Sequence, residues 1–167
     1  MKVEPLNRSF GAKVSELSLP DLNQDQVQEI YKLWLKYALL IFPQQNLTNS
    51  QQIEFAKNFG ALEFDLSPIS NVRNDGSIRD ANDDDIVKSL KGNMEWHHDS
   101  TYMPIQAKGA VFTAHKVPKK GGETGWADMR AAYEGLSNAM KEKIEDTYVN
   151  VNKDKRSCAF ENNWLKN

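Results

Sequence analysis

His97 and Asp99 carry the pair of side chains best suited to chemistry in this sequence, an imidazole and a carboxylate separated only by His98. Successive side chains on a β-strand point to opposite faces, so on a strand His97 and Asp99 project the same way and can meet one metal ion, while His98 points elsewhere. An imidazole and an acid so placed make two thirds of the two-histidine, one-carboxylate facial triad, whose open positions let iron(II) hold a co-substrate and oxygen together. Alone, a His-x-Asp pair is weak evidence, because it arises by chance in many proteins and a lone histidine is more often structural. The surrounding residues have to decide.

The other reactive groups carry less. Cys158 is the only cysteine, which rules out an intrachain disulfide and a cysteine-built zinc site. As a nucleophile Cys158 lacks a local base, so it reads as a passive thiol. Asp80, Asp83, Asp84 and Asp85 form an acidic cluster, yet Asp85 stands where a calcium loop needs glycine and Lys91 where it needs glutamate. That segment reads as a solvated lid. Lys119-Lys120 and Lys153, Lys155, Arg156 are short basic clusters of the kind that usually face solvent rather than a phosphate.

The elements that must position these groups follow from periodicity and end signals. Val3 to Leu17 alternates weakly around Gly11, predicting one or two short strands. Asn23 followed by Gln26 marks a helix start, and Val27, Ile30, Tyr31, Trp34 and Tyr37 recur at helical spacing, so a helix runs to about Tyr37 with its Trp34 stripe in the core. The apolar run Ala38 to Phe42, closed by Pro43, predicts a buried strand. Thr48 and Gln51 form a capping-box pattern for a second helix whose Ile53, Ala56 and Phe59 face inward, stopped by Gly60. From Leu62 to Asn93 the chain is polar, with Asn74-Asp75-Gly76 as a turn, and a mobile loop is expected. Gly109 to Val117 alternates Val111, Thr113 and His115 against Ala110, Phe112 and Ala114, predicting a strand ended by Pro118. Gly121-Gly122 makes a turn, Asp128 caps a helix carrying Ala132, Tyr133 and Leu136, and a further helix runs from about Ser137 to Tyr148.

The 167 residues suffice for one domain with a real core, and no composition shift divides them. Hydrophobic residues make up 40% and charged residues 26%, the balance of a soluble globular chain rather than a disordered one. Lys plus Arg number 21 against 23 Asp plus Glu, so a net charge of -2 offers no general attraction to nucleic acid or anionic lipid. The longest apolar run, Ala38 to Phe42, is far too short to span a bilayer, and Met1 to Phe10 lacks the apolar stretch of a secretory signal. A cytoplasmic location is expected, which suits a free thiol.

A longer string decides for the metal site: Asn93-Met94-Glu95-Trp96-His97-His98-Asp99-Ser100-Thr101-Tyr102, then Gly121-Gly122-Glu123-Thr124 and Ala127-Asp128-Met129-Arg130-Ala131-Ala132-Tyr133. Together with Gln51-Gln52-Ile53-Glu54-Phe55-Ala56, Asn58-Phe59-Gly60 and Ile69-Ser70-Asn71-Val72, it strongly resembles the TauD/TfdA family of taurine and 2,4-dichlorophenoxyacetate dioxygenases, more closely the second. The resemblance runs from the start to about Val151; residues 152–167 depart from it.

The resemblance implies an α+β, β-rich fold, a double-stranded β-helix (jelly roll, cupin-like) with flanking helices, as a single domain over 1–167. It implies His97 and Asp99 as iron ligands, Thr124 as a hydrogen-bonding partner of the 2-oxoglutarate carboxylate, and Asn93 as a substrate contact. The implied cofactors are Fe(II), 2-oxoglutarate and O2, and the implied reaction hydroxylates a small organic acid, aryloxyalkanoate-like or sulfonate-like, while 2-oxoglutarate becomes succinate and carbon dioxide. A carboxylate at Asp99 leaves no vacancy for the chloride that halogenating relatives bind, which favours hydroxylation. The family's third ligand, a distal histidine, and the arginine after it are expected beyond Asn167. His115 aligns with ordinary strand residues and is expected to be a packed or edge histidine. The chain is thus expected to be an N-terminal portion whose open strand edges invite homo-oligomerisation or a complementing C-terminal chain. The alternative reading is a catalytically inactive truncated fragment or interaction module of the same fold.

Overall fold

The computed structural model of the chain describes residues 1–6, 10–92, 94–100 and 103–147. These divide into two compact units, one of Met1–Asp65 with Ala110–Thr147, the other containing Leu66–Gly109.

In the first unit, β1 (Lys2–Pro5) and β2 (Ala12–Ser15) pair antiparallel in the register Val3 to Val14. Gly11 enters β2 with φ 87, a left-handed backbone that glycine adopts without a Cβ penalty. Its N–H donates to the Tyr37 carbonyl at 2.8 Å, and the next amide, Ala12, donates to Leu39 at 2.9 Å, so β3 (Leu40–Ile41) joins β2 in parallel. Parallel pairing needs a long crossover. It is supplied by α1 (Gln24–Tyr37), capped as expected by reciprocal bonds between Asn23 and Gln26. Ala12 and Val14 of the central strand are fully buried.

The helix faces differ in detail from the periodicity reading. α1 buries Val27, Ile30 and Leu33, while Trp34 is half-buried, its indole N–H donating to the Ala38 carbonyl at 3.1 Å. Ala38 takes a left-handed φ of 60 as the helix cap, which uses up the start of the expected strand Ala38 to Phe42. The strand shrinks to Leu40–Ile41, with Ile41 exposed rather than buried. α2 (Asn49–Lys57) carries the expected Thr48–Gln51 capping box, but Phe55 is its buried residue, and Ile53, Ala56 and Phe59 are half-buried. Phe55 meets Phe42 and Phe59 edge-on at 5.8 and 5.2 Å and joins Leu19, Ile30 and Leu47 in the core. Gln45 seals the edge of this core, accepting from the Leu19 amide at 3.0 Å and donating to the Leu17 and Pro43 carbonyls.

Residues 109–117 do not form the expected strand. The alternation survives in burial, with Val111 and Thr113 half-buried and Phe112 and Ala114 exposed, but among the described residues no ladder pairs with it. A strand is defined by its partner, which composition cannot supply. The segment is instead fastened by Gln52, whose side-chain amide donates to the Val111 carbonyl at 2.9 Å. α4 (Met129–Glu134) and α5 (Asn138–Ile144) follow, capped by Asp128 and Ser137. The last helix stops at Ile144; the expected end, Tyr148, lies outside the described residues.

The second unit replaces part of the expected loop with structure. Asn74-Asp75-Gly76 turns the chain between the bridged residues Val72 and Ile78, with Gly76 at φ 85. α3 (Asp85–Gly92) follows, burying Val87. The helix was hidden by the acidic run before it, but Ile86, Val87 and Leu90 share one face and the Asp84 carboxylate accepts from the Ile86 amide at 3.0 Å. The acidic cluster is absorbed locally: Asp84 pairs with Arg73 and Arg79, Asp80 accepts from the Asn82 and Asp83 amides, and Asp83 and Asp85 flank Lys88.

Candidate metal centre

His97 and Asp99 follow α3 in a non-regular segment, not on the expected strand, since no ladder pairs with residues 94–100 among the described residues. Their side chains nevertheless meet: His97 Nε2 lies 3.2 Å from Asp99 Oδ1. Spacing therefore anticipated the convergence while the supporting element differs. Ser100, immediately after, holds a left-handed φ of 62, uncommon outside glycine.

The hydrogen bond on the far side of the imidazole makes the pair chemically specific. His97 Nδ1 lies 2.7 Å from the Glu95 carbonyl oxygen. A carbonyl only accepts, so Nδ1 carries a proton and Nε2 is the ring nitrogen turned toward Asp99. A lone pair and a carboxylate oxygen facing each other repel unless a proton or a cation stands against both. Two donors each about 2.1 Å from one ion and at a right angle to each other lie about 3 Å apart, which the observed separation matches. An Nδ1–H fixed by a backbone carbonyl is also the arrangement that orients metal-binding histidines generally. The donor set thus fits a divalent metal, and with side-chain exposures of 32% for His97 and 63% for Asp99 it is open to solvent.

No third His, Cys, Asp or Glu joins the pair among the described residues. His115 belongs to the first unit and is exposed; the strand on which it was expected as a packed or edge histidine does not form among the described residues. Asn93, Cys158 and the basic residues Lys153, Lys155 and Arg156 lie outside the described residues.

Thr124 also belongs to the first unit. It is exposed on the irregular stretch between Gly121-Gly122 and the Asp128 cap of α4. Both glycines are left-handed, at φ 77 and 76, and a Cβ on Gly122 would come within 3.0 Å of the Pro118 ring. The turn expected there is therefore one that glycine alone adopts without strain. Beside it, Trp126 and Phe112 meet edge-on at 6.0 Å. At Asp128, burial pushes the carboxyl pKa up, but hydrogen bonds from the Ala131 and Arg130 amides and the Arg130 guanidinium outweigh it and hold it below the ordinary value. At Asp84 burial acts the same way and is outweighed by the Ile86 amide and by Arg79.

Two contributors had no readable signal. The Glu95 group that orients His97 is a main-chain carbonyl, which any residue supplies. The Arg73, Arg79 and Asp84 cluster depends on a hairpin bringing residues 73, 79 and 84 together.

Comparison with known proteins identifies the family of the chain. Residues 2–159 match the family described as taurine catabolism dioxygenase TauD, TfdA family. The chain is 55% identical over 144 residues to an (S)-phenoxypropionate/alpha-ketoglutarate-dioxygenase of Sphingobium herbicidovorans, covering 86% of this chain and 50% of that protein. It is 34% identical over 157 residues to an alpha-ketoglutarate-dependent 2,4-dichlorophenoxyacetate dioxygenase of Cupriavidus pinatubonensis, covering 84% of this chain and 54% of that protein. Among solved structures, AAD-2 in complex with Mn(II) and N-oxalylglycine superposes with a TM-score of 0.78 at 36% identity, over 87% of this chain and 54% of that one. The chain spans about half the length of the curated relatives it matches. With nearly its whole length matched, the chain belongs to the TauD/TfdA dioxygenase family.

Proposed function

We propose that this chain is the N-terminal portion of a single-domain Fe(II)- and 2-oxoglutarate-dependent dioxygenase that hydroxylates a small organic acid, with an aryloxyalkanoate preferred over a sulfonate. The observation that carries the reading is the 3.2 Å approach of His97 Nε2 and Asp99 Oδ1, with the imidazole tautomer set by Glu95. The 55% identity to a phenoxypropionate dioxygenase supports the substrate class.

In this reading His97 and Asp99 are two of three ligands, and the third, a histidine in the family, lies outside 1–167. Iron(II), when bound, supplies the redox chemistry that activates oxygen. The residues of the chain hold and orient. Glu95 keeps the Nε2 lone pair turned toward the ion, Asp99 fills the carboxylate position and so favours hydroxylation over halogenation, and Thr124 donates a hydrogen bond to a carboxylate oxygen of 2-oxoglutarate. Asn93 contacts the substrate. The balance is one O2 consumed, one substrate C–H converted to C–OH, and 2-oxoglutarate converted to succinate and carbon dioxide. The enclosing fold is the double-stranded β-helix, and the location cytoplasmic, which a lone cysteine suits.

Succinate release coupled to substrate tests the proposal. With iron(II), ascorbate and 2-oxoglutarate, the protein together with the rest of its domain should form succinate and hydroxylated product in equal amounts from a 2-aryloxypropionic acid, and less from taurine or an alkyl sulfate. Equal turnover of all three would remove the substrate assignment, and absence of succinate above background would remove the enzymatic one.

A further inference from the structure

The unit that presents His97 and Asp99 has almost no hydrophobic core. Within Leu66–Gly109, Val87 is the one buried apolar side chain among the described residues, and Ile69, Ile78, Ile86, Met94 and Trp96 are exposed. Apolar burial, the usual source of rigidity, is thus small in this segment. An ionic clasp takes its place. The Asp84 carboxylate, 11% exposed, accepts from Arg73 Nη2 at 2.8 Å and Arg79 Nη1 at 3.3 Å with one oxygen, and from the Ile86 amide at 3.0 Å with the other. One side chain therefore ties both arms of the 72–78 hairpin to the first turn of α3. At the far end of α3, the Lys91 ammonium donates to the Ala81 carbonyl, and the Lys91 carbonyl accepts from the Met94 amide at 3.2 Å. The helix is strapped at both ends, and its exit leads directly to Glu95 and His97.

Arg79 bears a cost in this arrangement: its Nε is buried with no acceptor among the described residues. A buried donor without a partner is unusual and calls for a reason. The contact that accompanies this burial is the ion pair of its Nη1 with Asp84 at 3.3 Å, Arg79 being the less exposed of the carboxylate's two guanidinium partners.

We infer that Arg79 and Asp84 are positioning residues for the candidate metal centre, holding the α3 exit so that the Glu95 carbonyl meets His97 Nδ1 and Nε2 faces Asp99. The inference rests on the reading of His97 and Asp99 as metal ligands, but its structural half can be tested without a metal.

The experiment uses the protein together with the rest of its domain and compares the unaltered sequence with Asp84→Asn, Arg79→Ala, Arg79→Lys and Arg73→Ala. Three readouts are used: hydrogen exchange of amides 86–99, the His97 tautomer by 15N NMR, and iron(II) affinity under anaerobic conditions. Exchange in α1 serves as the internal measure of folding. The expected result is exchange faster by about tenfold in 86–99 for Asp84→Asn and Arg79→Ala, loss of the single Nδ1–H tautomer, and iron affinity lower by about tenfold, the range of outer-contact mutations at metal sites. Arg79→Lys keeps the charge and should recover most of the loss; Arg73→Ala, on the more exposed arm, should have a smaller effect in the same direction. If Asp84→Asn or Arg79→Ala speeds α1 exchange as well, Arg79→Lys and Arg73→Ala decide on the same readouts. An unchanged tautomer overturns the inference, as does unchanged iron affinity in variants whose exchange has risen. If the unaltered protein binds no iron, the proposed function fails, and tautomer and exchange still decide the clasp.

Discussion

The Nε2 of His97 and the Oδ1 of Asp99 stand 3.2 Å apart with the other imidazole nitrogen already committed to the Glu95 carbonyl. A proton or a cation must therefore reconcile two facing acceptors. The same two residues would be unremarkable on a surface if Nδ1 were free to turn, because an exposed His–Asp pair contributes little by itself.

Ile30 is the most deeply buried large side chain of α1, 1% exposed and packed against Leu19, Leu47 and Phe55. Ile30→Ala should lower the unfolding free energy of the first unit by roughly 2–5 kcal/mol through lost transfer and cavity energy. Urea unfolding followed by Trp fluorescence measures it; a loss below about 1 kcal/mol would mean the packing around Ile30 is not a core.

Acid should destabilise the first unit through Asp128. Its pKa is lowered in the fold, so it contributes stability that is present above the unfolded aspartate value, about 3.9, and is lost as pH falls through the folded value. Asn keeps the oxygen that caps α4 but cannot carry the charge. Stability measured between about pH 6 and pH 3 should therefore fall less steeply in Asp128→Asn than in the unaltered protein. Parallel curves for the two would contradict the assignment.

Gly122→Ala should disturb the Thr124 segment, because the substitution meets both a φ of 76 and the Pro118 ring at 3.0 Å. The left-handed conformation alone costs about 1–2 kcal/mol. On the proposed role of Thr124, 2-oxoglutarate affinity should fall with iron(II) affinity unchanged, and Thr124→Ala should do the same. Equal loss of both affinities would point to general unfolding rather than a co-substrate contact.

Where the sequence could be read, the signals were local. The Asn23–Gln26 and Thr48–Gln51 boxes closed as expected because each needs only side chains three residues apart, and the Asp128 and Ser137 caps behaved alike. The readings that changed depended on partners. Residues 109–117 keep a strand's alternation without a strand beside them, and Ala38 went to a helix cap instead of the strand its apolarity suggested. α3 is hidden in the sequence by the acidic residues Asp80, Asp83 and Asp84 before it, although the Asp84 carboxylate is what accepts from the Ile86 amide in its first turn. At the site, residue types and the spacing of His97 and Asp99 were legible, while the Glu95 carbonyl and the Arg79–Asp84 clasp were not, since one is main chain and the other exists only once the 72–78 hairpin has formed.

Anaerobic calorimetric titration with iron(II) decides whether His97 and Asp99 hold a metal, comparing the protein together with the rest of its domain with His97→Ala, Asp99→Ala and His115→Ala. The expected result is one ion per chain, affinity reduced by more than about tenfold in each of the first two variants, which is about 1.4 kcal/mol or more, and affinity unchanged in His115→Ala. Binding that survives His97→Ala and Asp99→Ala intact would contradict it.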